Sequence, residues 1–189
     1  FPVDMADIER IEILEGSSAR VFGSSAFNGA INIVTKREKR TGARLSAEGG
    51  SFGTWGVNGR VSVATGAVTN SVSGGYRQSD GGTLHSDFKR RQMFYQGDLA
   101  SQHIDLQWQV GLSSQDFGAN TFYSAKFNDQ FEATRRYLTS LSGTIKPFDT
   151  DWLTLVPQLY WHRDYDHYQL IRGKEGAAAG ENYHRTDVY

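Results

Sequence analysis

The residues best suited to chemistry form one short run near the end of the chain, where histidine and aspartate are interleaved with aromatic side chains. His162, Asp164, Asp166 and His167 offer the nitrogen and oxygen ligands used by metal ions and haem iron. On a strand, successive side chains point to opposite faces, so His162, Asp164 and Asp166 share one face and His167 lies on the other. A shared metal would require the chain to bend. A strand end with aromatic and polar residues is therefore the favoured interpretation.

Acidic and amide side chains also gather in the polar stretches between the apolar runs. They offer the oxygen ligands that calcium prefers. The members of this set are Asp80, Asp87, Asp116, Asn120, Asn128, Asp129 and Glu132. Asp80, Asp87, Asp116 and Asp129 are the candidate calcium ligands. Asp and Asn are also common in turns for conformational reasons, so solvated turn residues are the favoured alternative.

Catalytic motifs find no support in this sequence. Serine, histidine and aspartate are present, but there is no nucleophile elbow, paired-carboxylate motif, phosphate-binding loop or zinc spacing. We therefore predict no catalytic residue and no enzymatic activity.

The elements that must position these residues are strands, because apolar and polar side chains alternate from Trp55 to Arg163. Between His103 and Ser113, the apolar residues occupy every second position and polar or small residues lie between them. This period repeats about seven times with breaks rich in Gly, Asp and Asn, and it predicts antiparallel strands with two different faces. The apolar side chains of the clearest runs are Val57, Val61, Val63, Val72, Tyr76, Met93, Tyr95, Leu99, Ile104, Leu106, Trp108, Val110, Leu112, Leu141, Ile145, Leu153, Leu155, Leu159 and Trp161.

Periodicity leaves two classes open, since a soluble sandwich buries its apolar face against a second sheet and an outer-membrane barrel turns it to lipid. The polar face carries Arg60, Arg77, Gln96, Asp98 and Gln109, which suits a water-filled lumen. Aromatic residues near the strand ends are typical of the girdles at a membrane interface. A sandwich also shows a polar face to solvent, so neither observation decides alone.

Composition narrows the class of protein without choosing it. The chain has 189 residues, of which 38% are hydrophobic and 13% aromatic, enough for a domain with a sizeable core. A net charge of -1 argues against nucleic acid as a partner. There is no cysteine for a disulfide or a thiolate metal site. No apolar run approaches the length of a transmembrane helix, although transmembrane strands would escape such a test.

The first forty residues differ from the rest and carry a motif. Two β-rich runs, Ile8–Gly16 and Ala30–Lys36, flank a stretch of small residues. This segment resembles the end of the plug domain of TonB-dependent outer-membrane receptors. The matching positions are Ile8, Glu9, Arg10, Ile11, Glu12, Leu14, Gly16, Ser18, Gly23, Ala26, Gly29, Ile31, Asn32, Ile33, Thr35 and Lys36, of which Arg10, Glu12, Gly16, Gly23, Gly29 and Asn32 form the motif proper. The departures are Glu15 for Arg, Ser17 for Pro, Phe22 for Tyr and Asn28 for Gly, and Glu15 puts the family's plug-to-barrel ion pair in doubt.

The resemblance implies an all-β fold, a fragment of a plugged antiparallel transmembrane β-barrel with about seven to eight strands. It divides the chain into the C-terminal part of the plug domain (1–36), a periplasmic linker (37–41) and the first barrel strands (42–189). The motif contacted by TonB would lie before Phe1. The sheet would have two open edges, and such edges recruit further strands, so the piece alone is expected to close on itself or to self-associate.

The resemblance also implies a function, namely energy-coupled uptake of a scarce, bulky nutrient across the bacterial outer membrane. Expected partners are outer-membrane lipid, the TonB complex and a small-molecule nutrient. The Tyr-rich segment before Arg135 is similar to the cobalamin-transporter branch, in which early extracellular loops bind calcium, and an iron-siderophore ligand is kept beside cobalamin. Phe122, Tyr123 and Arg135 are the candidate ligand-binding residues. A secreted β-sandwich that binds glycans is the alternative, followed by an outer-membrane enzyme or adhesin.

Overall fold

The computed structural model describes residues 2–16, 29–149 and 152–189, and these residues are almost entirely β-structure. Contacts divide them into two units, one of Val3–Arg37 and the other of Glu38–Tyr189 with Pro2. No helix among the described residues is long and apolar enough to cross a membrane. The finer division into plug, linker and barrel stays a prediction.

The first unit is built on one antiparallel pair, β1 (Ile8–Glu15) and β2 (Gly29–Thr35), preceded by a 3-10 turn over Met5–Asp7. Asp4 caps this turn by accepting a hydrogen bond from the Ala6 amide at 2.9 Å. The Lys36 amide donates to the Asp7 carbonyl at 2.8 Å and so extends the pairing beyond β2.

The second unit is a single eight-stranded antiparallel sheet in which each strand pairs with its neighbours in sequence. Its strands are β3 (Gly42–Gly49), β4 (Trp55–Thr65), β5 (Val68–Ser79), β6 (Phe88–Ala100), β7 (Ile104–Asn120), β8 (Gln130–Ile145), β9 (Gln158–Gln169) and β10 (Glu181–Val188). A short 3-10 turn, Ala177–Ala179, precedes β10. The sheet is open, with β3 and β10 at its edges. The predicted all-β fold with seven to eight barrel-type strands is confirmed.

Burial of the two faces is the reverse of that in a soluble protein. The alternating apolar side chains, here called the outward face, are exposed: Val61 keeps 54% of its surface, Met93 52% and Leu159 66%. The polar side chains between them, here called the inward face, are largely buried, with Gln96 at 0% and Arg60 at 4%. A sandwich would cover its apolar face with a second sheet, whereas a barrel turns it to lipid. The burial pattern therefore favours the barrel over the sandwich.

Two glycines let large rings lie flat on the sheet. The indole of Trp108 covers its cross-strand neighbour Gly97 so closely that an added Cβ would overlap the ring. On the inward face, Phe94 is opposite Gly111 and is buried. An added Cβ on Gly111 would lie 2.7 Å from Pro2 Cγ and 3.3 Å from Phe94 Cδ2, so this glycine leaves room for both side chains.

Strand limits differ from the prediction at both ends of the sheet. β7 continues past Ser113, where the clear alternation ends, to Asn120, and β8 begins at Gln130. Near this end both faces carry charged or polar side chains, which hides the alternation. At the other end, Leu153 and Leu155 precede β9 instead of belonging to it. Pro157 lacks an amide hydrogen and interrupts the ladder, leaving one isolated bridge between Ile145 and Leu155.

Candidate ligand-binding site

The inward face carries a ladder of hydrogen bonds that crosses the sheet. Arg60 on β4 donates to the Ser71 hydroxyl at 2.8 Å. Asp98 accepts from Gln96 at 2.8 Å and from Gln107 on the next strand at 3.1 Å. These side chains alternate with the outward apolar ones, so parity alone assigns them to one surface. The result is a polar wall able to offer both donors and acceptors.

A cavity of about 190 Å³ opens on this wall toward the end of the sheet that carries the loops before β6, before β8 and before β10. Its lining combines two arginines, one carboxylate, hydroxyl and amide groups and one aromatic ring. These residues are Arg90, Ser113, Gln115, Phe117, Glu132, Thr134 and Arg136. They lie at inward positions of β6, β7 and β8, as the pairing of Arg90 with Gln115 and of Gln115 with Thr134 shows.

The polar groups around this cavity are not all satisfied. Arg136 Nε lies 3.2 Å from Asp164 Oδ1, yet both atoms are buried and complete no hydrogen bond. The Asp166 Oδ1 atom is also buried and accepts no hydrogen bond. Buried polar atoms without partners are costly in free energy. The inward face beside the cavity therefore holds one donor and two acceptors that complete no hydrogen bond.

The loops above this cavity are tied together by an ion pair. Arg172, in the loop after β9, donates to both carboxylate oxygens of Asp87, at 2.7 and 3.0 Å. Its guanidinium also lies 4.9 Å from the centroid of the Phe131 ring. The Arg172 guanidinium lowers the pKa of the Asp87 carboxyl below its ordinary value, while the carboxylate raises the pKa of Arg172. A bidentate pair of this kind fixes loop geometry more firmly than a single contact.

A cluster of aromatic side chains forms the rim of the same loops. The Tyr123 hydroxyl donates to Glu132, and the Tyr123 ring packs edge-to-face against Phe122 and Tyr168, with centroids 4.8 and 5.3 Å away. Burial and the neighbouring Glu132 raise the pKa of Tyr123, so it stays a neutral donor. Gln130, fully buried, accepts from the Tyr168 hydroxyl at 3.0 Å and holds the loop through the Phe127 carbonyl at 2.6 Å. The buried Gln130 side chain thus holds the aromatic rim in place through hydrogen bonds.

The three predicted ligand-binding residues fall into two places. Phe122 and Tyr123 lie together on the loop and expose 78% and 51% of their surfaces. Arg135 lies on the outward face of β8, opposite in parity to Glu132, Thr134 and Arg136. Whether any of the three binds a ligand stays a prediction.

The predicted calcium ligands are spread over several positions. Asp87 is engaged by Arg172, and Asp129 lies 3.3 Å from His85 Nε2. Asp80 follows β5, where its amide donates to the Phe52 carbonyl at 2.8 Å, and Asp116 lies on the outward face of β7. Within residues 2–16, 29–149 and 152–189, no three His, Cys, Asp or Glu side chains are placed to hold one metal ion. Calcium binding stays a prediction.

The histidine and aspartate run lies on one continuous strand, β9, as the alternation indicated. His162 Nε2 contacts Asp164 Oδ2 at 2.7 Å on the inward face. His167 lies on the outward face and contacts Glu181 Oε1 at 2.7 Å.

The plug-type motif forms a cross-strand polar contact. Glu12 and Asn32, opposite each other on β1 and β2, are joined by a hydrogen bond of 2.8 Å donated by Asn32. Arg10 adds a contact of 2.7 Å to the same carboxylate. The Asn32 hydrogen bond, and then that of Arg10, lower the pKa of Glu12. Gly23 lies outside the described residues.

The local backbone geometry explains why glycine occupies two positions of the motif. Gly16 has φ of 75°, in the left-handed region that other residues rarely enter. A Cβ on Gly29, whose φ is 155°, would lie 2.6 Å from the Leu14 carbonyl oxygen. Both positions therefore require glycine for the β1–β2 pairing.

Sequence reasoning missed Arg172 and did not single out Arg90 and Arg136. Arg90 and Arg136 could have been found from parity, since each is an even step from inward residues of its own strand, Gln92 and Ser140. No local sequence pattern marks Arg172, because its partner Asp87 is 85 positions away in the chain.

A sheet with an apolar, exposed outward face and a polar, buried inward face has the pattern typical of transmembrane β-barrels. The chain is also similar in sequence to two proteins named vitamin B12 transporter BtuB. That of Photobacterium profundum is 37% identical over 122 residues, which cover 60% of this chain and 18% of the relative. That of Vibrio vulnificus (strain YJ016) is 25% identical over 190 residues, covering 92% of this chain and 28% of the relative.

These relatives confirm the resemblance to TonB-dependent receptors that the plug-type motif indicated. The chain spans less than a third of the length of either relative. A scan against models of protein families finds no match.

Proposed function

We propose that this chain is part of an outer-membrane transporter that takes up a scarce, bulky nutrient of the cobalamin or iron-siderophore type with energy from the TonB complex. The observation that carries the proposal is the reversed burial of the sheet, with apolar side chains exposed outward and polar ones buried inward. The names of the relatives support cobalamin as the first ligand to test.

The nutrient would enter from the end of the sheet that bears the aromatic rim. Phe122 and Tyr123 would contact its apolar surface, and the cavity between Arg90 and Arg136 would receive its polar substituents. This division of labour is typical of ligand sites, in which aromatic rings supply contact area and a few polar groups fix the orientation. Calcium, if bound by Asp80, Asp87, Asp116 or Asp129, would act by ordering the loops.

Catalysis has no part in this proposal. The relatives are named as transporters, and the proposal takes its class of activity from them. A solute is bound, released and carried across without a change in its covalent structure.

The test is uptake by source cells that carry or lack the full-length gene. We expect deletion to abolish accumulation of radiolabelled cyanocobalamin or of a ferric siderophore, and expect loss of TonB to have the same effect. Uptake of both compounds at the wild-type rate in the deletion strain would contradict the proposal. Recovery of the protein in the soluble fraction would do so independently.

A pair of variants then connects uptake to the site. Arg136→Gln removes a donor from the cavity, and we expect it to weaken nutrient binding about tenfold, in the range of a hydrogen bond to a charged group. Arg91→Gln is the matched control, because Arg91 lies on the opposite face of the sheet from the cavity. Equal effects of the two changes would remove the cavity from the proposal.

A further inference from the structure

Three cations lie on the outward face of the sheet near its loop end. Arg91 on β6 and Arg135 on β8 are both register partners of Ser114 on β7, so they occupy one lateral row. Lys89 lies on the same face, one step closer to the loops. We call Lys89, Arg91 and Arg135 the basic belt.

The belt is exposed, and its positive charges outnumber the carboxylates on the same face of these strands. All three side chains are exposed, and no carboxylate of the described residues forms an ion pair with them. Asp116, the register partner of Lys89, is the one carboxylate at an outward position of the described strands β6, β7 and β8. By contrast, Arg185 contacts Asp187 at 2.8 Å. The belt therefore carries an excess of positive charge on this face.

The belt also lies where the lipid-facing surface ends. One row farther from the loops, the same three strands present Met93, Leu112 and Tyr137. In the belt's own row, tyrosines flank the arginines: Tyr76 pairs with Arg91, and Tyr165 pairs with Arg135. The Arg91 guanidinium lies 5.9 Å from the centre of the Tyr76 ring. Tyrosine at the end of an apolar band is typical of a membrane interface.

The opposite end of the outward face has no such charge. Toward the short turns, the outward positions of β4 to β8 are uncharged, as with Val63, Leu99, Leu106 and Ile145. Among the described strands β4 to β8, an outward lysine or arginine is thus confined to the loop end, whereas Arg163 on β9 lies one row farther from the loops and is paired with Asp187. This asymmetry favours a partner present on one side of the membrane only.

We propose that the basic belt binds the phosphate groups of a phosphorylated lipid in the leaflet that the loops face. Neighbouring strands are about 4.8 Å apart, which places Arg91 and Arg135 about 10 Å from each other, close enough for one bis-phosphorylated headgroup or two adjacent ones. Guanidinium groups bind phosphate with two parallel hydrogen bonds and are favoured at this interface by charge. The inference goes beyond nutrient uptake but rests on the proposed outer-membrane location.

The alternation of the strands supplies a matched pair of variants. Arg91→Gln with Arg135→Gln removes two outward charges, and Arg90→Gln with Arg136→Gln removes two inward charges from adjacent positions. Each double variant of the full-length protein would be purified in detergent and titrated with bis-phosphorylated lipid A and with the same lipid after removal of its phosphates.

We expect the outward double variant to lose about tenfold or more in affinity for the phosphorylated lipid, since it removes two cations that attract an anionic headgroup. The inward double variant should bind that lipid as the wild type does. The dephosphorylated lipid should bind weakly to all three proteins. Wild-type lipid affinity in the outward double variant would overturn the proposal, as would equal binding of the two lipids by the wild type.

Folding is checked by the faster gel mobility of the unboiled protein. If the outward double variant does not fold, Arg135→Gln alone is titrated, with an expected loss of about threefold to fivefold, and no loss overturns the proposal. A protein that is in the outer membrane and takes up cobalamin, but whose outward variants bind lipid normally, would contradict the belt and leave the proposed function standing.

Discussion

Asp87 and Arg172 join the loop before β6 to the loop after β9 through two hydrogen bonds of 2.7 and 3.0 Å. The Asp87 carbonyl also accepts from the Gly118 amide at 2.9 Å, and the Arg172 amide donates to the Asp129 carbonyl at 2.7 Å. Four segments of the loop end are thereby linked through two residues. The ion pair thus connects the loops that surround the candidate site.

Replacing Arg172 with Gln should loosen these loops without unfolding the sheet. We expect amide exchange of residues 80–87 and 170–176 to accelerate about twofold to fivefold, as for the loss of a partly exposed ion pair. Hydrogen exchange measured by mass spectrometry gives the rates. Arg185→Gln is the control, because its ion pair with Asp187 lies within β10. Unchanged rates in R172Q would show that the pair does not hold the loops.

The same pair predicts a dependence on pH. The folded-state pKa of Asp87 is lowered from its ordinary value of 3.8, so its stabilising effect is present above that value and is lost as pH falls through the folded-state pKa. Loop exchange in the wild type, corrected for the intrinsic pH effect, should therefore stay slow to about pH 4 and rise in more acidic solution. Asp87→Asn should remove this difference between neutral and acidic pH. A wild-type acid response retained in D87N would assign the effect to another carboxyl group.

A methyl group on Gly97 should displace the indole of Trp108. An ideal Cβ there overlaps the ring, and the shift would break the hydrogen bond of 3.1 Å from Trp108 Nε1 to the Tyr95 hydroxyl. We expect Gly97→Ala to lower the free energy of unfolding by about 1–3 kcal/mol, as overpacking does, and to change the tryptophan emission. Gly74→Ala on the same face, with its nearest contact at 3.6 Å, should have little effect. Equal stability of the two variants would show that the sheet accommodates the ring elsewhere.

The pair of Glu12 and Asn32 should respond to a change of charge. Asn32→Asp replaces the donor with a second carboxylate directly opposite Glu12. Like charges at such positions are unfavourable by about 0.2–1 kcal/mol, so the β1–β2 amides should exchange faster at neutral pH. Adding Glu12→Gln should restore slow exchange by returning one donor to the pair. No recovery in the double variant would mean that the contact acts through shape rather than charge.

Much of the sheet could be predicted because apolar and polar side chains alternate along each strand, which marks its two faces. The alternation between His103 and Ser113 predicted both the strand and the surface on which every side chain lies. The ends were predicted less well, since Arg90 with Arg91 and Arg135 with Arg136 present charge on both faces and leave no contrast to detect. The plug-type motif predicted the two strands that bring Glu12 and Asn32 together.

The candidate site could be predicted only in part. Phe122 and Tyr123 were proposed from the Tyr-rich segment before Arg135, and the structure places both on one exposed loop, while their role in binding stays a prediction. The cavity needed the pairing of β6 with β7 and of β7 with β8, which aligns Arg90, Gln115 and Thr134 in one row. The role of Arg172 depended on a loop partner far away in the sequence.

The sequence by itself determined the two-faced strands, their approximate number and order, and the resemblance carried by the first forty residues, because alternation and short motifs are local properties of a chain. The tertiary structure alone decided that the apolar face is the exposed one, that Asp87 meets Arg172, and that Arg135 and Arg136 serve opposite surfaces near one end. Those outcomes depend on register and on contacts between distant segments. A one-residue step reverses the face of a strand, and loop contacts leave no periodic mark in the sequence.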